Sequence, residues 1–236
     1  MTAKLKRKYA CPLLFLLIAL GFYAIMQERE SLASAFAVEK DPLLILDAGH
    51  GGADGGASSA SGLKESEVNL DIVLRMRELC RLLSVPVMLT RESEELAYPP
   101  EADSLAAMKR WDTRQRVDFI NRQDHAVLLS IHQNCYPDPQ PKGPQTFYSD
   151  KTYSLKKAKQ IQSYMTENLY PENRRVAAPM PKGLYIPEHI HCPAILCECG
   201  FLSNPEEAKA LSTESYRTKI AVILMAAFLE PTEETV

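Results

Sequence analysis

Three side chains in this sequence have the types and the positions expected of a metal site. His50 and His132 each follow a short apolar run typical of a buried strand, and Glu65 stands just ahead of a pattern typical of a helix. Two histidines and one carboxylate are a common ligand set for a catalytic zinc ion, which keeps one position open for water. Because the three residues form no compact metal-binding motif, the residue types alone leave ordinary surface histidines as an alternative.

A fourth ionisable side chain, Glu198, lies within an apolar run that extends from Ala194 to Cys199. A carboxylate is unfavourable in a buried strand unless charges or hydrogen bonds compensate it. Close to a metal ion, Glu198 would accept a proton from a bound water and act as a general base. The alternative is a structural ion pair with an arginine such as Arg91 or Arg116.

The first of these histidines lies in a glycine-rich segment, residues 43–57, around which the rest of the chain is organised. The segment begins with four apolar residues that predict a buried strand, and it then breaks into Asp47-Ala48-Gly49-His50-Gly51-Gly52. Glycines at positions 49, 51, 52, 55 and 56 allow tight turns and a close approach to a ligand. A loop without a special role does not need five glycines in this space, so the pattern favours a binding loop.

The elements that would position these residues alternate between strand and helix patterns, which predicts a layered α/β fold. Further strands are predicted at 85–89, 126–131, 146–148, 184–186 and 194–199. Helices are predicted to start at Lys64, to cover 112–122 and 153–169, and to begin again near Asn204 and Thr213. In the last helix Ile220, Val222 and Leu224 are expected to face inward. Trp111 falls in a long irregular connection that begins at Tyr98.

The composition is that of an ordinary globular protein, with 236 residues, 46% hydrophobic and 24% charged residues. The formal net charge of −3 offers no electrostatic basis for binding nucleic acid. Of the six cysteines, Cys197 and Cys199 would point to the face of a strand opposite Glu198. Export would permit disulfides, but no paired framework is evident, which favours small buried hydrophobic side chains.

The first thirty residues have a different character from the rest. Lys4, Lys6, Arg7 and Lys8 precede an uncharged, mostly apolar run from Tyr9 to Met26. This pattern predicts that residues 1–30 are a signal peptide or a membrane anchor, with the basic end on the cytoplasmic side. Residues 31–42 would form a linker, and the remainder of the chain would be exported and either secreted or anchored to the membrane.

Four blocks of the sequence resemble, in content and order, the zinc-dependent N-acetylmuramoyl-L-alanine amidases. They are Asp47-Ala-Gly-His-Gly-Gly, Lys64-Glu-Ser-Glu-Val-Asn-Leu70, Ser130-Ile-His-Gln-Asn134 and Glu198-Cys-Gly-Phe-Leu-Ser-Asn204. The N-terminal segment and Gly143-Pro-Gln-Thr-Phe-Tyr148 look most like the germination-specific, CwlD-type amidases of spore formers. One departure is Ala48, where the family usually has proline, and it removes no ligand.

The resemblance implies a three-layer α/β/α domain over residues 43–230, with a mixed central sheet flanked by helices, and a tail at 231–236. It also implies one zinc ion held by His50, Glu65 and His132, and Glu198 as the catalytic carboxylate. The reaction would be hydrolysis of the amide between the muramic acid lactyl group and L-alanine in peptidoglycan. Arg91, Arg116 and Asn134 are expected to bind substrate or to support the metal ligands, and for both arginines the alternative is a solvated surface charge.

The resemblance favours a role in the spore cortex, in muramic-δ-lactam formation and germination, in the space between the forespore membranes. A vegetative cell-wall amidase, a zinc peptidase that cuts within the stem peptide, and a non-catalytic wall-binding protein are the alternatives. The presence of all four acid and imidazole positions argues against the non-catalytic protein. An activating partner protein is compatible with this sequence but has no recognisable mark in it.

Overall fold

The computed structural model describes residues 42–149 and 152–231 of the chain. The segment expected to be a signal peptide or membrane anchor, the linker up to residue 41 and the tail from residue 232 lie outside these ranges. Within the described ranges, no helix is both long enough and apolar enough to cross a membrane.

One mixed sheet forms the centre of the described part of the chain. Its six strands are β1 (Leu43–Ala48), β2 (Val87–Leu89), β3 (Ala126–Asn134), β4 (Gln145–Tyr148), β5 (Ala178–Pro179) and β6 (Ala194–Phe201), in the order β2-β1-β3-β6-β4-β5. Neighbours from β2 to β6 run parallel, whereas β4 runs antiparallel to β6 and parallel to β5. The predicted mixed sheet is confirmed.

Helices cover both faces of this sheet. They are α1 (Glu65–Leu82), α2 (Leu105–Asn121), α3 (Thr152–Leu169), α4 (Tyr185–His189), α5 (Pro205–Leu211) and α6 (Glu214–Leu229). A large apolar cluster joins one face of the sheet to α1, α3 and α6, and a smaller cluster joins the other face to α2 and α4. The predicted three-layer α/β/α arrangement is therefore confirmed.

The residues of β1 illustrate why these strands are apolar on both faces. Leu44 and Leu46 belong to the large cluster, whereas Ile45 belongs to the smaller one, and all three side chains are fully buried. Successive side chains of a strand point to opposite faces, so a strand between two helical layers needs apolar residues at every position. The run Leu43–Leu46 fits this requirement.

Four local predictions are wrong. The apolar run at residues 184–186, predicted as a strand, lies at the start of α4, because such a short run does not distinguish strand from helix by its periodicity. The helix predicted from residue 112 begins at Leu105, where Ser104 caps it by accepting a hydrogen bond from the Ala107 amide. Trp111 therefore lies within α2 and not in an irregular connection.

Val222 of α6 is 48% exposed and does not face inward.

Candidate active site

The carboxyl ends of β1 and β3 bring the two histidines to the same edge of the sheet. These neighbouring parallel strands are in register from Leu43 opposite Ala126 to Ala48 opposite Ile131. His50 lies just beyond Ala48, the last residue of β1. His132 follows Ile131 within β3, which continues to Asn134 and so extends beyond the predicted strand end. This is the edge at which open α/β sheets bind their ligands.

Glu65 enters between the two imidazoles from the first turn of α1. Its Oε2 atom lies 3.3 Å from His50 Nε2, and its Oε1 atom lies 2.9 Å from His132 Nδ1. The two rings stand edge to face with their centroids 5.1 Å apart. One ligand atom from each of the three residues lies within 4.8 Å of the other two. The structure thus brings together the three residues that the sequence predicts as zinc ligands.

The chemistry of this cluster fits a zinc ion. Zinc accepts imidazole nitrogen and carboxylate oxygen at about 2.0–2.2 Å. The carboxylate of Glu65 lies 3.3 Å from one imidazole nitrogen and 2.9 Å from the other, which are separations that two such bonds to one ion can span. Burial would raise the pKa of Glu65, but the hydrogen bonds and charges of His132 and His50 hold it well below its usual range. The carboxylate therefore stays ionised and provides the negative charge that a buried cation requires.

His50 is oriented by Asp54, a residue of the glycine-rich segment that was not among the predicted site residues. Asp54 Oδ2 lies 2.9 Å from His50 Nδ1 and 2.9 Å from the Lys109 ammonium group. Burial lowers the pKa of His50, but Glu65 and Asp54 outweigh it and raise the pKa above 6.5. A histidine that binds a metal commonly donates its second N–H to a carboxylate, which fixes the ring orientation. Asp54 provides this contact and leaves Nε2 directed towards Glu65.

Two glycines of the segment are required by close approach to the candidate ligands. A Cβ atom on Gly49 would overlap the His132 ring, and one on Gly56 would lie 2.5 Å from Glu65 Oε2. Gly56 also has a φ of 67°, in the left-handed region that favours glycine. These contacts explain why glycine stands at positions 49 and 56.

Hydrogen bonds from backbone and side-chain amides fix the carboxylate of Glu65. Its oxygens accept hydrogen bonds from the backbone amides of Ala57 and Gln133, at 2.9 and 3.1 Å. Asn69, which is fully buried, directs Nδ2 towards Glu65 Oε1 at 3.4 Å and towards the Gly49 carbonyl at 3.1 Å. Asn69 was not among the predicted site residues, although its position four residues after Glu65 places both side chains on the same face of α1.

Glu198 lies in β6, directly opposite His132 of β3. Its neighbours Cys197 and Cys199 point into the large apolar cluster, as the strand alternation predicts. The Glu198 Oε2 atom is buried and has no hydrogen-bond partner within the described residues. Burial raises the pKa of Glu198 to about 7, which leaves this carboxyl able to exchange a proton near neutral pH.

Arg116 does not form the ion pair with Glu198 that was considered as an alternative. Its guanidinium donates hydrogen bonds to Asp47, to the Ala48 carbonyl and to the His50 carbonyl, at 2.8, 2.7 and 2.5 Å. The side chain is 3% exposed, so its interpretation as a solvated surface charge is wrong. Arg116 fixes the backbone of the segment that carries His50.

Arg91 has a similar role on the other side of the same segment. Its guanidinium donates to the carbonyls of Ala48, Gly49 and Ser66 at distances between 2.8 and 3.2 Å, and it pairs with Glu94 at 3.0 Å. The Arg91 side chain is 5% exposed, so its interpretation as a solvated surface charge is also wrong. A direct contact of Arg91 or Arg116 with substrate stays a prediction.

All four ionisable groups open into one cavity of about 930 Å³. His50, Glu65, His132 and Glu198 lie among its walls, and Asn134 at the end of β3 lines it as well. The Asn134 carbonyl accepts a hydrogen bond from the Leu202 amide at 2.8 Å, which fixes the backbone at this end of β3. The volume lies within the range typical of ligand-binding sites.

A family model described as N-acetylmuramoyl-L-alanine amidase matches residues 44–229. The germination-specific N-acetylmuramoyl-L-alanine amidase of Bacillus subtilis is 37% identical over 180 residues, which cover 76% of this chain and 75% of that protein. The amidase LytC of the same organism is 30% identical over 182 residues, but these cover 33% of its length.

Solved structures agree with this assignment. The CwlD amidase of Clostridioides difficile, solved in complex with the GerS lipoprotein, has 34% identity and a TM-score of 0.75, and the match covers 79% of this chain and 95% of that chain. The amidase AmiC2 of Nostoc punctiforme, at 24% identity and a TM-score of 0.66, shares the fold over 80% of this chain and 96% of its own. The chain therefore belongs to the N-acetylmuramoyl-L-alanine amidase family and is a hydrolase that cleaves the amide between N-acetylmuramic acid and L-alanine of peptidoglycan.

Proposed function

We propose that this amidase depends on one zinc ion held by His50, Glu65 and His132, with Glu198 as its catalytic carboxylate. The observation that carries the proposal is the three-residue cluster within 4.8 Å, together with the neighbouring Glu198, whose buried Oε2 atom has no hydrogen-bond partner among the described residues. Two imidazoles and one carboxylate leave a coordination position open, which is typical of hydrolytic and not of structural zinc sites.

The residues of the chain have distinct tasks in this mechanism. Zinc, when bound, lowers the pKa of a water molecule and polarises the scissile carbonyl. Glu198 accepts a proton at Oε2 from the water whose oxygen forms the new bond to the lactyl carbonyl carbon, and it later donates that proton to the nitrogen of L-alanine as the C–N bond breaks. In the metal-free protein burial raises the pKa of Glu198 above its usual range, which makes this carboxyl a better proton donor in the second step than an exposed glutamate would be. Asp54 and Asn69 keep His50 and Glu65 in the orientation that the reaction needs.

Mass spectrometry of muropeptides tests the proposal. Purified peptidoglycan would be digested with the protein before and after removal of metal by a chelator, and again after zinc is restored. We expect glycan chains with free lactyl carboxyl groups and intact peptides that begin with L-alanine, only when zinc is present. Cleavage within the stem peptide would instead identify a peptidase, and equal activity after metal removal would exclude zinc dependence.

We further propose a role in the spore cortex, since similarity to the germination-specific amidase of B. subtilis and to CwlD of C. difficile supports it. Removal of the stem peptide frees the lactyl carboxyl group that a muramic-δ-lactam needs. Spores that lack this chain should therefore have a cortex without the lactam. A normal lactam content, together with an altered vegetative wall, would favour the vegetative role.

Export and a partner protein complete the proposal. Residues 1–30 would direct the chain across the cytoplasmic membrane and retain it there or be cleaved, which would place the domain with its peptidoglycan substrate. The structure of CwlD contains the GerS lipoprotein. By similarity, we propose that a lipoprotein partner supports the activity of this chain, and the purified chain would then gain turnover when that partner is added.

A further inference from the structure

Besides the four ionisable groups, two helical segments line the cavity, and we call the space between them the groove. One wall is α2, and the other is formed by residues 183–187 at the start of α4. Between them the floor consists of Phe147 and Leu196, whose side chains lie on the sheet face that α2 and α4 cover only in part. When the scissile bond of a substrate lies beside Glu198, the part of the substrate on one side of that bond can therefore extend along α2.

Two arginines on α2 line this groove without a charge partner. Arg110 and Arg114 are exposed, and neither forms an ion pair within residues 42–149 and 152–231. The other cations on this stretch are already paired, Lys109 with Asp54 and Arg116 with Asp47 and Asp112. Like charges four residues apart on a helix repel each other. An anionic ligand in the groove would relieve this repulsion.

The substrate of an N-acetylmuramoyl-L-alanine amidase carries its negative charges on one side of the scissile bond. The glycan side is neutral, because the lactyl carboxyl group is consumed in the amide itself. The stem peptide side carries free carboxylates, including the α-carboxylate of a glutamate joined through its side chain. Arginine binds carboxylates through paired, charge-assisted hydrogen bonds. The apolar floor also suits the methyl and methylene groups of a peptide better than sugar hydroxyls.

We propose that Arg110 and Arg114 bind carboxylates of the stem peptide and make the enzyme selective for an anionic peptide. The proposal rests on the amidase activity and adds the direction in which the substrate lies: the peptide runs along α2, and the glycan leaves from the opposite side of the active site. Both arginines are binding residues and take no part in proton transfer.

The test compares two disaccharide peptides that differ only in their stem carboxylates, which are free in one and amidated in the other. Steady-state kinetics would be measured for the parent, for Arg110→Gln, for Arg114→Gln and for the double variant. Arg122→Gln is the matched control, because Arg122 is an exposed arginine at the end of the same helix that does not line the cavity. Melting temperatures of all variants report any change in folding.

We expect the parent to prefer the anionic substrate and the double variant to lose that preference. A hydrogen bond to a charged group contributes enough for roughly a 10-fold loss in kcat/KM per arginine. The loss should appear in KM with kcat unchanged, since uniform binding is removed, and it should shrink at high salt. Arg122→Gln should behave as the parent does.

Two outcomes would overturn the inference. One is a double variant that keeps the parent's kcat/KM on both substrates, and the other is a double variant that loses kcat/KM equally on both; in either case the preference for the anionic substrate is unchanged. A glycan that occupied this groove would produce the second of these, because both substrates carry the same glycan. If the parent releases no peptide that begins with L-alanine from either substrate, the amidase function fails instead, so the two failures are distinguishable.

Discussion

Replacement of Glu198 by glutamine tests whether this carboxylate takes part in catalysis or has only a structural role. Glutamine keeps the shape of the side chain but does not accept a proton at neutral pH. As a general base, Glu198 would contribute roughly 10²–10⁴-fold to turnover, and we expect the variant to lose activity by that amount. Its zinc content should be unchanged, because Glu198 is not one of the three clustered ligand residues.

The stability of the same variant has a predictable sign. Burial raises the pKa of Glu198 from 4.5 to about 7 in the zinc-free protein. Because the folded-state pKa lies above that of the unfolded chain, the folded protein holds this proton more tightly, and its stability falls as the pH rises from 4.5 to about 7. At ~1.4 kcal/mol per pKa unit this difference approaches about 3 kcal/mol. The Glu198→Gln variant has no ionisable group at this position, so it does not lose this stability at high pH. Without zinc, its melting temperature at pH 8 should therefore be no lower than that of the parent.

Three measurements on one preparation test this reasoning: peptide release, zinc per chain, and melting temperature at pH 5 and pH 8. Glu207→Gln is the control for a structural carboxylate, because Glu207 accepts hydrogen bonds from the amides of Phe201 and Gly143 at 2.7 and 3.0 Å. We expect that control to be less stable but fully active in its folded fraction. A Glu198→Gln variant with the same behaviour would remove Glu198 from the mechanism.

Three further predictions concern the metal site and the N-terminal segment. His132→Ala should lower zinc affinity by more than the ~10–100-fold typical for loss of an outer hydrogen-bond partner of a ligand; full zinc occupancy, measured by metal analysis, would refute its role. Gly56→Ala should weaken zinc binding because its Cβ would meet Glu65, whereas Gly62→Ala, also at positive φ but with open space around it, should affect stability alone; equal zinc titrations for the two would contradict this. A truncated chain that starts at Ser31 should be soluble and folded, as judged by circular dichroism and gel filtration; if it aggregates while the full chain is soluble without detergent, the apolar segment belongs to the core.

Local sequence patterns predicted the central strands of the fold. They did not predict the conformation of residues 184–186 or the first residue of α2. The apolar runs that became β1, β3 and β6 are recognisable because a strand covered on both faces is apolar at every position. Residues 184–186 show the limit of such patterns, because a three-residue apolar run is compatible with either a strand or a helix. The true start of α2 depended on the Ser104 cap and not on apolar periodicity.

The candidate site was predicted in part for a similar reason. The types and order of His50, Glu65, His132 and Glu198, together with the family resemblance, are properties of the sequence, and the strand ends predicted that they meet at one edge. Asp54 and Asn69 were missed, because an aspartate in a loop and an asparagine on a helix have no distinctive pattern until their partners are known.

The sequence by itself determined the alternation of strands and helices, the glycine-rich segment and the identity of the four ionisable groups, because each depends on residue type and local spacing. Only the tertiary structure decided how Arg91 and Arg116 are used. Both arginines look like surface charges in the sequence, yet both are buried and bind the backbone around residues 47–50. Burial and pairing depend on which distant segments meet in space, and these contacts, about 40 to 70 residues apart in the chain, arise only when the sheet brings β1, β2 and α2 together.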